Sequence, residues 1–152
     1  MSEMRSVLAS AYVLVLDRQM RALSLWSNTY GGFTLPGGKV EPEDPSPEHA
    51  AVRELMEETT LAVDVGVLRL VHKMPARFVL KGGAEGPTRT VHLFYARRVA
   101  GLARPTAGDR PLGWAPYDRM IATAPAFYAD FLAASLPQST GFAWLEPTEG
   151  AP

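Results

Sequence analysis

Leu35-Pro36-Gly37-Gly38-Lys39-Val40-Glu41-Pro42, followed downstream by Arg53-Glu54-Leu55-Met56-Glu57-Glu58, is the stretch on which the reading of this chain turns. It reads as a tight glycine turn leading into a short helix. At about 100° per residue, Glu54, Glu57 and Glu58 stand at i, i+3 and i+4 and share one face. Val52, Leu55, Met56 and Thr59 follow the same spacing on the opposite face. That face can pack on a sheet, while the acidic face repels itself if left bare. A hard divalent cation among the carboxylates resolves the repulsion.

The segment from Gly38 to Leu61 resembles the signature box of the Nudix hydrolases. That box reads Gly, five residues, Glu, seven residues, then Arg-Glu-apolar-x-Glu-Glu-x-Gly-apolar. Gly38, Arg53, Glu54, Leu55, Glu57, Glu58 and Leu61 fall on it. The approach Phe33-Thr34-Leu35-Pro36-Gly37-Gly38-Lys39-Val40-Glu41 and the run Ser46-Pro47-Glu48-His49-Ala50-Ala51 are also similar to the family's usual sequence.

The resemblance implies the Nudix fold, an α/β (α+β) arrangement with a mixed β-sheet sandwiched between α-helices. It implies a pyrophosphohydrolase that uses Mg2+ or Mn2+ to cleave a nucleoside diphosphate linked to another moiety. Nucleoside triphosphates, oxidised nucleotides, ADP-ribose and dinucleoside polyphosphates all qualify, because the box contacts the part they share. Glu57 and Glu58 take the place of the main metal ligands, with Glu54 as ligand or base and a backbone carbonyl near Gly37 or Gly38 completing the shell. Arg53 takes the supporting role of orienting a glutamate. The alternative from another class is a nucleotide or ADP-ribose sensor that keeps the fold without turnover. Such modules usually lose box carboxylates, and here all three remain. An RNA-cap hydrolase would want a basic surface.

Two departures from the box stand out. The spacing from Gly38 to Arg53 is one residue longer, so the first Glu has no strict counterpart, and Glu43 or Asp44 could serve. The extra residue is expected to bulge the loop around Pro45 and leave the helix register intact, with Glu54 off the core. Thr60 replaces the late glycine, and a β-branched residue is poor at positive φ, so a different helix exit is expected.

Secondary candidates surround the box. Lys39 could meet a phosphate and Trp26 could stack on a base or sugar. Asp109 is a candidate additional acid or base, and Glu85 a weaker one. His49, His72 and His92 show no ligand spacing and read as packing or surface residues. Pro75 reads as well as a strand end as it does as a substrate-class marker.

A chain of 152 residues, 47% hydrophobic and 20% charged, suits one globular domain. We expect that domain over residues 1–136 and a tail over 137–152. The net charge of −1 argues against a nucleic-acid-coating protein. The absence of cysteine excludes disulfides, thiolate metal sites and a cysteine nucleophile. Residues 7–16 faintly suggest a signal peptide, but they end at Asp17-Arg18-Gln19 and are too short to span a bilayer. Cytoplasmic residence, no membrane partner and a small-molecule substrate are therefore expected, with a homodimer left open.

Strands are expected at 7–16 and 22–27 as a hairpin, then at 33–35, 62–73, 77–81, 88–99 and 112–114. The central helix should start at Ser46 as N-cap with Pro47 at N1 and run to about Thr59. Helix is also expected over 117–122 and 126–136.

Overall fold

The structure is a computed structural model that describes residues 8–17, 19, 21–27, 32–79, 85–96, 98–104 and 112–116. The central helix, α1 (Pro47–Thr59), has the expected boundaries. The hydroxyl of Ser46 accepts from the His49 N–H at 3.2 Å and contacts the His49 ring Nδ1 at 2.7 Å, while Pro47 occupies a position whose N–H would be unpaired in any case. Ser46→Ala should therefore cost about 1 kcal/mol. Thermal denaturation should show the midpoint falling by about 2–4 °C.

Two sheets accompany the helix. A mixed sheet has the order β4-β1-β6-β5, made of β1 (Ala9–Leu14), β4 (Gly37–Lys39), β5 (Leu68–Val79) and β6 (Glu85–Ala96). β1 runs antiparallel to β4 and parallel to β6, which pairs antiparallel with β5. An antiparallel sheet has the order β3-β2-β7, from β2 (Arg21–Ser27), β3 (Gly32–Thr34) and β7 (Leu112–Pro116). Ala11, Val13 and Val15 alternate onto one face and pack with Ala50, Ala51 and Leu55 of α1 and with Phe94 and Ala96 of β6. The expected α/β architecture with a mixed sheet is present. Its second layer, predicted at 117–122 and 126–136, and the tail over 137–152 lie outside the described residues, and no described helix is long and apolar enough to cross a membrane.

Several expectations are corrected. β1 and β2 are consecutive but do not form a ladder, because β4 and β6 occupy both edges of β1. They touch only near their junction, through the Leu16–Ala22 bridge and the Leu23 N–H to Val15 carbonyl bond. Asp17 shapes that junction by accepting from the backbone N–H groups of Gln19 and Arg21. The strand expected over 62–73 begins only at Leu68. Ala62 instead bridges Ala100, and Asp64 caps a 3-10 turn at Val65–Val67 by accepting from the Gly66 N–H. β5 then runs through Pro75 to Val79, merging two predicted strands.

The apolar face of α1 is also shifted. Its buried residues are Ala50, Ala51, Leu55 and Thr59, whereas Met56 is exposed. Indexed from Leu55, Met56 lies about 100° round the helix, outside the stripe centred on Ala51, Leu55 and Thr59. Thr60 does adopt the left-handed conformation, φ 64°, that its branching disfavours. Its N–H bonds to the Met56 carbonyl as a glycine cap would, and its hydroxyl donates to the Leu102 carbonyl at 2.7 Å. A tertiary hydrogen bond of about 1 kcal/mol offsets a conformational cost of similar size.

Candidate functional site

Gly37 and Gly38 form a strand rather than a free turn, and each glycine is required for a different close approach. In β4 they pair with Tyr12 and Ala11 of β1. Opposed residues of an antiparallel pair share a sheet face, so Gly38 faces α1 as Ala11 does, and Gly37 faces away with Tyr12. Where a Cβ on Gly38 would project, the Glu54 carboxylate lies. A methyl there would stand 2.5 Å from Oε2 and 2.9 Å from the carboxyl carbon. The Gly37 N–H donates to Glu58 Oε1 at 2.8 Å. Two carboxylates of the helix are thus seated against the glycine strand.

Helix geometry explains why the three glutamates differ. Measured from Leu55, Glu58 lies about 60° round, Glu54 about 100° and Glu57 about 160°, so Glu57 stands farthest from the packed stripe and is the exposed one of the three. Glu54 keeps 15% of its side-chain surface exposed and Glu57 keeps 57%. Burial of the Glu54 carboxyl raises its pKa above the ordinary value, and the neighbouring Arg53 only partly opposes that shift.

Arg53 ties the site together. Its Nε and Nη2 donate to the two oxygens of Asp44 at 3.0 and 2.8 Å, a fork that engages both carboxylate oxygens. Nη2 also donates to the Lys39 carbonyl at 3.1 Å. Nη1 stands between two helix carboxylates, 3.3 Å from Glu54 Oε2 and 3.2 Å from Glu57 Oε1. Hydrogen bonding to Arg53 holds the Asp44 carboxyl below its ordinary pKa, and Asp44 in turn raises that of Arg53.

Asp44 is fixed by its own loop. Its N–H donates to the Glu41 carbonyl at 2.9 Å and its Oδ2 accepts from the Glu41 N–H at 2.8 Å, closing a turn with Pro42 at the second position. The extra residue of the box is accommodated within this loop, and Glu54 stays off the core. Glu43 is exposed, so of the two acids weighed for the displaced first position Asp44 is the one that meets Arg53. What the sequence did not reveal is the two-point grip itself. The Pro42-to-Asp44 turn was its available signal.

The remaining candidates are less central. Lys39 contributes its backbone carbonyl, while its side chain is exposed. Trp26 stands in β2 opposite Phe33, Glu85 opens β6, and Asp109 lies outside the described residues. His92 is buried, with Nδ1 3.2 Å from the Ser10 carbonyl and its ring stacked on Phe94, and so packs as expected. Among the described residues no three histidine, aspartate or glutamate side chains converge into a ready-made cation site. The donor chemistry still fits magnesium or manganese. It is all oxygen, it is acidic, and it lies beside a glycine strand whose backbone can be approached closely.

The sequence matches the model of the NUDIX domain over residues 7–135, most of its length. The chain belongs to the Nudix family. Nudix structures of similar fold include the MutT protein of Methanosarcina mazei Go1, at 23% identity, TM-score 0.65, over 86% of this chain and 93% of that one. The MutT protein of Bacillus halodurans matches at 19% identity, TM-score 0.69, over 93% and 91%. An Ap4A hydrolase of C. elegans matches at 18%, TM-score 0.58, over 85% and 96%. At these identities the likenesses show the fold. No curated protein matches the sequence.

Proposed function

We propose that this Nudix protein is a pyrophosphohydrolase that uses Mg2+ or Mn2+ to cleave a nucleoside diphosphate linked to another moiety. One observation carries the reading: Glu54 and Glu58 of one helix are both seated on the paired glycines of β4. Acidic side chains and close-approach backbone are thereby gathered at one edge of the sheet. The similar structures named MutT and Ap4A hydrolase support a nucleotide-derived substrate.

In this reading Glu57 and Glu58 hold the cation, with Glu54 and the backbone at Gly38 beside them. A cation bound there neutralises charge on the diphosphate and acidifies a water. Glu54 is the group best suited to accept the proton of the attacking water, because partial burial has made its carboxylate more basic. The water oxygen bonds to one phosphorus, the phosphoanhydride P–O bond breaks in line, and two phosphate-terminated products leave. Arg53 orients Glu54 and Glu57 without touching substrate. Lys39 and Trp26 are proposed substrate contacts and Asp109 a further acid or base. A single domain over residues 1–136 acting in the cytoplasm on a small molecule belongs to the same proposal.

A phosphate-release panel of nucleoside diphosphate derivatives, with magnesium and with manganese, tests it. Glu57→Gln and Glu58→Gln should each lose at least about tenfold in rate on the best substrate, the scale for perturbing a metal ligand or its partner. Unaltered rates in both variants would mean that the cation sits elsewhere. Tight binding without turnover across the panel would replace hydrolysis by ligand sensing.

A further inference from the structure

The segment that follows β6 is laced to the exit of α1 by four hydrogen bonds. The backbones of Ala62 and Ala100 exchange two, at 3.0 and 2.8 Å, and the Thr60 hydroxyl donates to the Leu102 carbonyl at 2.7 Å. The Arg104 N–H donates to the Thr59 carbonyl at 2.9 Å. Gly101 turns the segment at φ 101°, a conformation suited to glycine, while Val99 and Ala103 rest against the core. Residues 100–104 thus run beside 59–62, and the Arg104 backbone is fixed at the end of the acidic helix.

This lacing brings a second arginine to the carboxylates. Thr59 directly follows Glu58, so the bond from Arg104 to Thr59 keeps the Cα atoms of Arg104 and Glu58 within about 11 Å. Arg53 is occupied by Asp44, Glu54 and Glu57. The Arg104 side chain is exposed and makes no ion pair or hydrogen bond among the described residues. Lys39, also exposed, meets Arg53 through its carbonyl, about 9 Å along the helix axis from Thr59. Two exposed cations therefore stand at opposite ends of the row of glutamates. Thr60 keeps a strained φ of 64° and directs its hydroxyl at the 100–104 segment, where a glycine would end the helix without strain.

We propose that Arg104 is a substrate contact that binds oxygens of the phosphate chain beside the bond that is cleaved, and that Thr60 is the positioning residue that holds it there. This rests on the pyrophosphohydrolase reading above and names the group that grips the phosphates. A guanidinium suits the task, being permanently charged and able to meet two phosphate oxygens at once.

The test is steady-state kinetics on the best substrate of the panel, with calorimetric titration of α,β-methylene ATP in Mg2+ and a melting curve for each variant. Arg104→Ala should raise KM by about tenfold or more and change kcat by less than about twofold, as for a charged hydrogen bond made equally before and during reaction. Analogue affinity should fall to match. Arg104→Lys should lose about threefold, since it keeps the charge without the fork. Arg98→Ala removes another exposed cation of the same connection and should shift KM by less than about twofold. Thr60→Gly keeps the left-handed cap and removes the hydroxyl. Its melting temperature should stay within about 2 °C of wild type while KM rises about fivefold, the scale of a long side chain left for the ligand to immobilise. Thr60→Ser should return KM to wild type.

Wild-type KM and analogue affinity in Arg104→Ala would overturn the proposal even if its melting temperature fell, because a cation that serves only the helix dipole acts on stability alone. Equal losses in Arg98→Ala would also overturn it, by reducing the effect to net charge. Wild-type KM in Thr60→Gly would overturn the positioning role. If the analogue binds but no panel member is turned over, the hydrolase reading has failed separately, and the titrations decide for or against Arg104. A wild-type protein that neither turns over the panel nor binds the analogue overturns both.

Discussion

Gly38→Ala is expected to lower turnover by about a hundredfold while the protein remains folded. The added methyl would point toward α1, at 2.5 Å from Glu54 Oε2. Nothing in the backbone of β4 need change, since the clash is with the end of a flexible side chain and Gly38 needs no unusual φ. The carboxylate must therefore move, by about an ångström, to regain van der Waals contact. Displacement on that scale of a group acting on the reacting atoms costs on the order of a hundredfold. The stability change should stay within about 0.5 kcal/mol, or about 2 °C in melting temperature. The measurement is kcat on the best substrate of the panel alongside a melting curve. Wild-type turnover would show that the seat of Glu54 on the strand does not matter to the chemistry.

How much of this was readable beforehand depends on whether a feature is local. Ser46, Pro47 and the i, i+3, i+4 glutamates act within a turn or two of their own backbone, so the sequence located α1 and its acidic face. Features that depend on distant strands were not readable. Glycines at 37 and 38 look like a turn in one dimension. Their need arises from Ala11 and Tyr12 of β1 and from Glu54, which the chain brings beside them only on folding. The sequence around Asp17 suggested a hairpin of β1 and β2, but both edges of β1 are taken by β4 and β6, far away in sequence, so β2 pairs in another sheet. Thr60 was misread for the same reason, as its strained conformation is supported by Leu102 across the fold. The grip of Arg53 on Asp44 falls in between. The insertion hid the spacing, and only the closed Glu41-to-Asp44 turn shows why the shorter acid still reaches.

The neighbouring glycine should behave in the opposite way, and the contrast separates fold from site. A Cβ on Gly37 would collide with the Ala11 carbonyl oxygen, and it would stand 2.5 Å from Tyr12 Cδ1 and 2.7 Å from Tyr12 Cα. Two of these atoms are backbone of the central strand and cannot swing aside. The φ of +154° adds a conformational penalty for any side chain. Relief requires β4 to peel from β1, and β1 is bounded on its other edge by β6, so the strain has no soft outlet. Gly37→Ala should therefore cost about 3 kcal/mol or more, combining overpacking with backbone strain, and lower the melting temperature by about 10 °C. The Gly37 N–H to Glu58 bond would go with the strand, so residual folded protein should also lose activity. A melting temperature equal to that of Gly38→Ala would show that β4 is not held against β1 as tightly as the pairing of Ala11 with Gly38 and Tyr12 with Gly37 requires.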